Sequence, residues 1–311
     1  MEVTAKYPGS FGEILQGNLG EKPVLVSSPI NLYTYVRLFE SKKEKNFYRN
    51  SKANKFIKNI LTDWAYRDYI NTIHIEINSR IPRGKGLASS TADLCATYKC
   101  LTKLFEKNYS IEELQKHCLA IEPTDSIIFN EFTLFDYKKG SFKEKLGPYI
   151  KFHILVFEGN RIINTLDFNN KNLKKMSSIE DLIPDLKESI EKRNIKNISQ
   201  ISEESIKRNF NRLTYDYFNI VEEYKNKTGG LGIIGCHSGD ALGIVYDNKE
   251  DLSKAEKNII YTGNLKKYTL ETVLNVRDMW RSFNFNTANI KNTFIKSINM
   301  FIICILLSLL Y

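Results

Sequence analysis

Apolar and polar residues alternate with a period of two through VLVSSPINLYTYVRLF (24–39) and again through TIHIEIN (72–78). That alternation predicts strands with one buried face. In the second segment Ile73, Ile75 and Ile77 share a face, so His74 is read as a solvent-facing strand residue. Between the two, Phe56, Ile60, Leu61 and Trp64 recur at helical spacing and predict an amphipathic helix over 52–70. Leu87, Leu94, Tyr98, Leu101 and Phe105 mark one face of a second helix of about five turns. Ser110, with Glu113 three residues on, is a capping box that opens a third helix, whose apolar face is Leu114, Cys118 and Leu119.

A strand pattern restarts in KFHILVFEG (151–159), and a domain boundary is drawn near Gly147 and Pro148. Helical patterns follow at 179–193, 195–210 and 215–227, and the glycine-dense segment 228–247 ends in a strand. Gly230, Gly232 and Gly235 satisfy GxGxxG, but a helix precedes them and a strand follows, the reverse of the order a dinucleotide-binding turn needs. They are read as tight turns and close backbone approaches. Cys236 and His237 are adjacent, so in extended chain they point to opposite faces and make no nucleophile–base pair. Ser238 lies in CHSGD, which is not a GxSxG elbow.

Composition narrows the classes. A chain of 311 residues, 42% hydrophobic and 26% charged, is that of a globular protein able to bury a core. The net charge of +9 comes from basic residues scattered along the chain, not clustered with aromatics, which argues against a nucleic-acid partner. Five cysteines without a CxxC pair, and a start that lacks the apolar core of a secretory signal, point to a reduced, cytoplasmic protein. The four histidines are too dispersed for a zinc site. An apolar run, Met300 to Tyr311, is broken only by Ser308. Crossing a bilayer takes about 20 apolar residues, so the run is read as a buried terminal element, with membrane or partner contact as the alternative.

Three stretches carry candidate chemistry. RIPRGKGLASSTADL (80–94) sets Gly84, Gly86, Ser89 and Ser90 ahead of the second helix, where backbone N–H groups and the helix dipole favour an anion. It is not a Walker A loop, and a plain serine N-cap with glycines for the turn explains it equally well. YPGSFGEILQG (7–17) reads as a glycine-rich turn bearing Glu13 and Gln16 before the first strands. AIEPTDSIIF (120–129) puts Glu122 and Asp125 at the end of the third helix.

Together, in this order, the stretches resemble the GHMP kinase family. The family signature PxxxGLxSS is matched by Pro82, Gly86, Leu87, Ser89 and Ser90, with Ala92 beyond. The finer pattern, with PGSFGEILQG (8–17), SSPINLY (27–33), GKGLASSTAD (84–93), EPTD (122–125) and HSGDALGIVYD (237–247), is most similar to the L-threonine kinases of cobalamin biosynthesis. It runs from residue 5 to about 247 and leaves the end of the chain unaccounted for.

The resemblance implies an α+β, two-domain fold. An N-terminal α/β domain of the left-handed crossover type spans 1–148, a C-terminal ferredoxin-like domain spans 149–290, and an apolar tail of unassigned role spans 291–311. It implies ATP with Mg²⁺ as cofactors and L-threonine as the small-molecule partner; other acceptors (homoserine, serine, an isoprenoid alcohol) and a non-catalytic nucleotide binder stay open. Oligomeric state is not legible. By the same resemblance Pro82, Gly84, Lys85, Gly86, Leu87, Ala88, Ser89, Ser90 and Thr91 bind nucleotide, with Ser89, Ser90 and Glu122 at the metal. Asp125 and Lys85 are catalytic, and Ser10, Glu13, Gln16, His237, Ser238 and Gly239 meet the acceptor. Glu122 as holder of a substrate ammonium, or as a surface charge, and Asp125 as a simple N-cap are the alternatives. Asp240 departs from the family pattern, and a carboxylate there is expected to disturb the phosphate site or to bind an ammonium.

Overall fold

Two long strands joined by a two-residue turn at Gly20 and Glu21 organise the chain: β1, Glu2–Leu19, and β2, Lys22–Glu40. The structure, a computed structural model, describes residues 2–41, 51–162, 174–236, 238–260 and 262–276. Seven further described strands complete a single sheet: β3 (Ile73–Ser79), β4 (Phe132–Asp136), β5 (Lys143–Gly147), β6 (His153–Glu158), β7 (Gly232–Gly235), β8 (Ala241–Tyr246) and β9 (Lys266–Glu271). The order is β5-β4-β2-β1-β7-β8-β6-β9, with β3 added to the far half of β2, and every strand pairing is antiparallel. Helices α2 (Ser89–Leu104), α4 (Ile183–Glu191), α5 (Ile195–Arg208), α6 (Phe218–Thr228) and α7 (Lys249–Asn258) pack on this sheet, and α1 (Ser51–Asp63) and α3 (Ile111–Leu119) pack on α2. The fold is α+β. No helix among the described residues is long and apolar enough to cross a membrane; the run 300–311 lies outside them.

The segment read as a turn, residues 7–17, is the middle of β1. Its pairing with β2 is interrupted between Pro8 and Ser10, between Ser10 and Glu13, and between Glu13 and Leu15, with Gly12 at a φ of +65°. Such bulges bend a strand and re-aim its side chains. Side chains in a regular strand change face at every residue, so polar residues three apart would alternate faces. Here Glu13 and Gln16 line one pocket, and Ser10 hydrogen-bonds to its floor.

Other expectations need adjustment. Helix α1 ends at Asp63, not near 70, because Ala65 takes a left-handed φ of 62°. His74 is half-buried and stacks on Phe39 at 5.5 Å instead of facing solvent. Only half of the capping box forms: the Glu113 N–H donates to Ser110 Oγ, but the Glu113 carboxylate accepts from Trp64 and Tyr98. Gly232 and Gly235 sit in a strand, and close approach does explain them. A Cβ on Gly232 would meet the Ser199 carbonyl at 2.6 Å, and one on Gly235 would meet Leu242 at 2.7 Å.

The sheet is covered on both faces where β6, β7 and β8 lie. Along β6, Ile154 and Val156 join the larger core, and Leu155 and Phe157 join a second core beneath α6 and α7. This is why the centre of β6, ILVF (154–157), is continuously apolar. Helix α2 runs behind β1 and β2 and is buried on nearly all sides from Thr91 to Thr102. Phe11 ties the halves together, since its ring lies where a side chain at Gly243 would stand, 2.8 Å from a Cβ built there. Phe11 is fully buried, so Phe11→Ala is expected to cost about 3–5 kcal/mol, read as a lowered urea midpoint with an unchanged m value.

Candidate active site

The loop ahead of α2 bends through three positive-φ residues, Gly84 (70°), Gly86 (78°) and Ala88 (52°). Ala88 occupies the N-cap position with no side chain bonding the first turn, so the serine N-cap does not form. The first N–H groups of α2 therefore lack the partner that a serine cap would give. Leu87 anchors the loop in the core, and its carbonyl accepts from Ser10 N–H at 3.2 Å. Behind the loop, Gly239 lies so close that a Cβ would stand 1.9 Å from the Lys85 carbonyl.

The three singled-out stretches meet at one pocket. Its wall contains Gly84, Gly86 to Thr91, Glu122 to Asp125, Glu13, Gln16 and Ser238, together with Leu25, Tyr137 and Arg212. Ser90 Oγ donates to Glu122 Oε1, and Lys52 Nζ lies 2.6 Å from Glu122 Oε2. A buried carboxylate, a hydroxyl and a neighbouring cation thus sit at the mouth of α2. Hard oxygen donors of this kind suit Mg²⁺, which uses one or two carboxylates and takes its other ligands from water and phosphate. Among the described residues there is no cluster of three or more His, Cys, Asp or Glu that would hold a metal alone.

Asp125 uses its two oxygens differently. Oδ1 accepts from Ile127 N–H at 2.9 Å and caps the short turn Ser126–Ile128, as the simple N-cap reading required. Oδ2 accepts from Ser10 Oγ at 3.2 Å and from Ser27 Oγ at 3.1 Å at the pocket floor. Burial, and then the Glu13 carboxylate beside it, push the Asp125 carboxyl up to about 7, against the hydrogen bonds that favour its ionised form. One turn into α2, burial lifts Asp93 to about 6, opposed by the Thr34 hydroxyl at 2.5 Å.

Two expectations are corrected here. The Lys85 ammonium does not face the pocket, because it donates to the carbonyls of Gly159 at 2.6 Å and Arg161 at 2.7 Å. Asp240 is also turned away: Oδ1 pairs with the Arg161 guanidinium at 2.7 Å and Oδ2 accepts Arg161 N–H at 2.8 Å. The unexpected carboxylate therefore does not line the pocket. Gly239 backs the loop without lining the pocket, Pro82 does not line it, and His237 lies outside the described residues. Sequence reasoning missed Tyr137, Arg212 and Lys52. Each is a single residue that folding brings to the site, with no local motif to mark it.

This loop, sheet and pocket have relatives. Residues 51–129 match the family of GHMP kinases, N terminal domain. The homoserine kinase from Cytophaga hutchinsonii superimposes with a TM-score of 0.64 at 15% identity, over 88% of this chain and 95% of that one. The chain shares the fold of that kinase, and its segment 51–129 is similar to the N-terminal domain of GHMP kinases. The chain is also similar to the L-threonine kinase of Salmonella typhimurium, 32% identical over 170 residues, which are 54% of this chain and 55% of that relative. The match thus spans about half the length of that relative. The 4-diphosphocytidyl-2-C-methyl-D-erythritol kinase of Clostridium botulinum (strain Hall) is 28% identical over 200 residues, 63% of this chain and 68% of that one.

The raised Asp125 pKa fixes a pH dependence. Between its ordinary 3.8 and about 7, the folded chain keeps a proton that the unfolded chain has released, so stability falls as pH rises through this window. Asp125→Asn mimics the protonated form and should remove that cost. Its melting temperature is expected to exceed the wild type's at about pH 8, by the equivalent of a few kcal/mol at most, and to match it at about pH 4. Thermal melts across this range test the assignment, and parallel pH profiles for the two proteins would contradict it.

Proposed function

We propose that the protein is an ATP-dependent kinase that phosphorylates the side-chain hydroxyl of L-threonine, giving O-phospho-L-threonine for adenosylcobalamin biosynthesis. The observation that carries this reading is the opposition of two features in one pocket. On one side is a helix N-terminus with no side-chain cap; on the other is an aspartate whose pKa lies near neutrality. Phosphoryl transfer asks mainly for positioning and charge neutralisation, and these groups supply both. The loop from Gly84 to Thr91 cradles the phosphates. Ser90 and Glu122, with Ser89 beside them, would hold Mg²⁺, which when bound would supply charge neutralisation. Lys52 adds a cation at the same point, a role given above to Lys85. Lys85 is a positioning residue that ties the loop to 159–161. Asp125 accepts the proton of the acceptor hydroxyl, with Ser10 and Ser27 orienting its carboxylate. Glu13, Gln16, His237 and Ser238 form the acceptor side, and Gly239 supports it from behind the loop. In this reading the chain divides at 148/149 into the two GHMP domains, and it works in the cytoplasm.

The likeness to L-threonine kinase supports the acceptor. The likeness to the Clostridium botulinum enzyme favours a second reading, transfer to an erythritol-type alcohol. ADP release with Mg·ATP, measured against L-threonine, L-serine, L-homoserine, mevalonate and 4-diphosphocytidyl-2-C-methyl-D-erythritol, separates the two. L-Threonine is expected to give the highest kcat/KM. Asp125→Asn should lower kcat about 10²- to 10⁴-fold while leaving nucleotide binding intact. Turnover on none of the acceptors, or an Asn variant of normal rate, would overturn the reading.

A further inference from the structure

We propose that Asp240 is a positioning residue for nucleotide: it grips the backbone of residues 159–161, which in turn grip Lys85 and so set the loop ahead of α2. The inference rests on the reading of 84–91 as the phosphate loop and gives a role to a carboxylate that this reading leaves unused. Asp240 is 2% exposed. Its carbonyl accepts from Gly159 N–H at 2.8 Å, and its Oδ2 accepts from Arg161 N–H at 2.8 Å. The carbonyls of the same two residues accept from the Lys85 ammonium, at 2.6 and 2.7 Å. Gly159 and Arg161 are thus held from both sides, their N–H groups by Asp240 and their carbonyls by Lys85. The fit requires glycine at 159, where a Cβ would stand 2.2 Å from Asp240 Oδ2.

The carboxylate is itself fixed from further directions. Its Oδ1 accepts from Arg161 Nη2 at 2.7 Å and from the Tyr217 hydroxyl at 3.3 Å, and the same guanidinium nitrogen donates to the Thr214 carbonyl at 2.9 Å. Lys85 is buried, and a buried ammonium gives up water only where acceptors are held ready for it. Here Asp240 holds them. A second route runs through Gly239, whose backbone packs against the Lys85–Gly86 peptide. Leu87 follows directly, and its carbonyl accepts from Ser10 N–H at 3.2 Å. A role for Asp240 through its charge has the opposite sign. If the charge acted on bound phosphate, removing it would tighten nucleotide binding; if its bonds place the loop, removing them weakens binding.

Asp240→Asn keeps the shape of the side chain and removes the charge that holds the guanidinium. Lys85→Met opens the same joint from its other side. Calorimetry with Mg²⁺ and a non-hydrolysable ATP analogue is expected to give a Kd about tenfold above the wild type's in each variant, and about the same tenfold in the double variant, because both act on one linkage. Tyr217→Phe removes a donor from Asp240 but leaves its bonds to 159–161, so it should change Kd by less than about twofold. Tighter or unchanged binding in Asp240→Asn, an equal loss in Tyr217→Phe, or a double variant weakened by the product of the two single losses would overturn the proposal. If the wild type binds no nucleotide, the kinase reading fails separately, and amide hydrogen exchange of the nucleotide-free chain reads the linkage. Exchange at Ser10 is expected to quicken in Asp240→Asn, and exchange at Arg161 to quicken in Lys85→Met, the second reading standing even where the first variant does not fold. Unchanged exchange at either amide in a folded variant overturns it.

Discussion

The backbone contact between Gly239 and the Lys85–Gly86 peptide is the constraint on which the site depends. No side chain fits between them, since a Cβ on Gly239 would stand 1.9 Å from the Lys85 carbonyl and one on Gly86 would stand 2.8 Å from Cys236 Cβ. The Lys85 ammonium closes the same joint from below through the carbonyls of Gly159 and Arg161. Arg161 in turn is held by Asp240, next in sequence to Gly239. The loop, residues 239–240 and the end of β6 thus form one knot of close glycine backbone, the Lys85 hydrogen bonds and the Arg161–Asp240 ion pair. The knot aims the start of α2 into the pocket and leaves Ala88, not a capping side chain, at its N-terminus.

Against that side stands a wall that carries two neighbouring carboxylates. Asp125 and Glu13 are close enough for one to raise the pKa of the other. Ionising both at neutral pH is unfavourable in the folded chain alone. A cation or an ammonium entering between the loop 84–91 and this wall would relieve that cost. The site is thus built at the expense of stability, a common arrangement where groups must react.

Much of this was legible in the sequence, for physical reasons that also mark its limits. Regular periodicity and a serine cap disclosed α2, α3 and β2, and the GLASS and EPTD stretches marked two pocket walls because small and acidic residues cluster there locally. β1 was misread because Pro8, Gly9 and Gly12 are breaker signals, and only its pairing with β2 shows them to be bulges. β4, β5, α7 and β9 passed unread, as short or mixed-polarity segments whose type is decided by their neighbours. The directions of Lys85 and Asp240 were not deducible at all. A lysine in a phosphate loop is read as a ligand until the carbonyls of residues 159 and 161 are seen to take its protons. Arg212 carries no motif, and it reaches the pocket only because Asn209 ties its turn to Gln16.

The central claim is that the N–H groups from Gly86 to Thr91 receive the phosphates of a nucleotide. Amide hydrogen exchange of the full chain, with and without Mg²⁺ and a non-hydrolysable ATP analogue, reads those groups directly. The account predicts new protection concentrated in residues 84–91, with a smaller effect at Cys236 and Gly239, which back the loop. Bound nucleotide that leaves 84–91 exchanging at its free rate, with protection elsewhere, would contradict it.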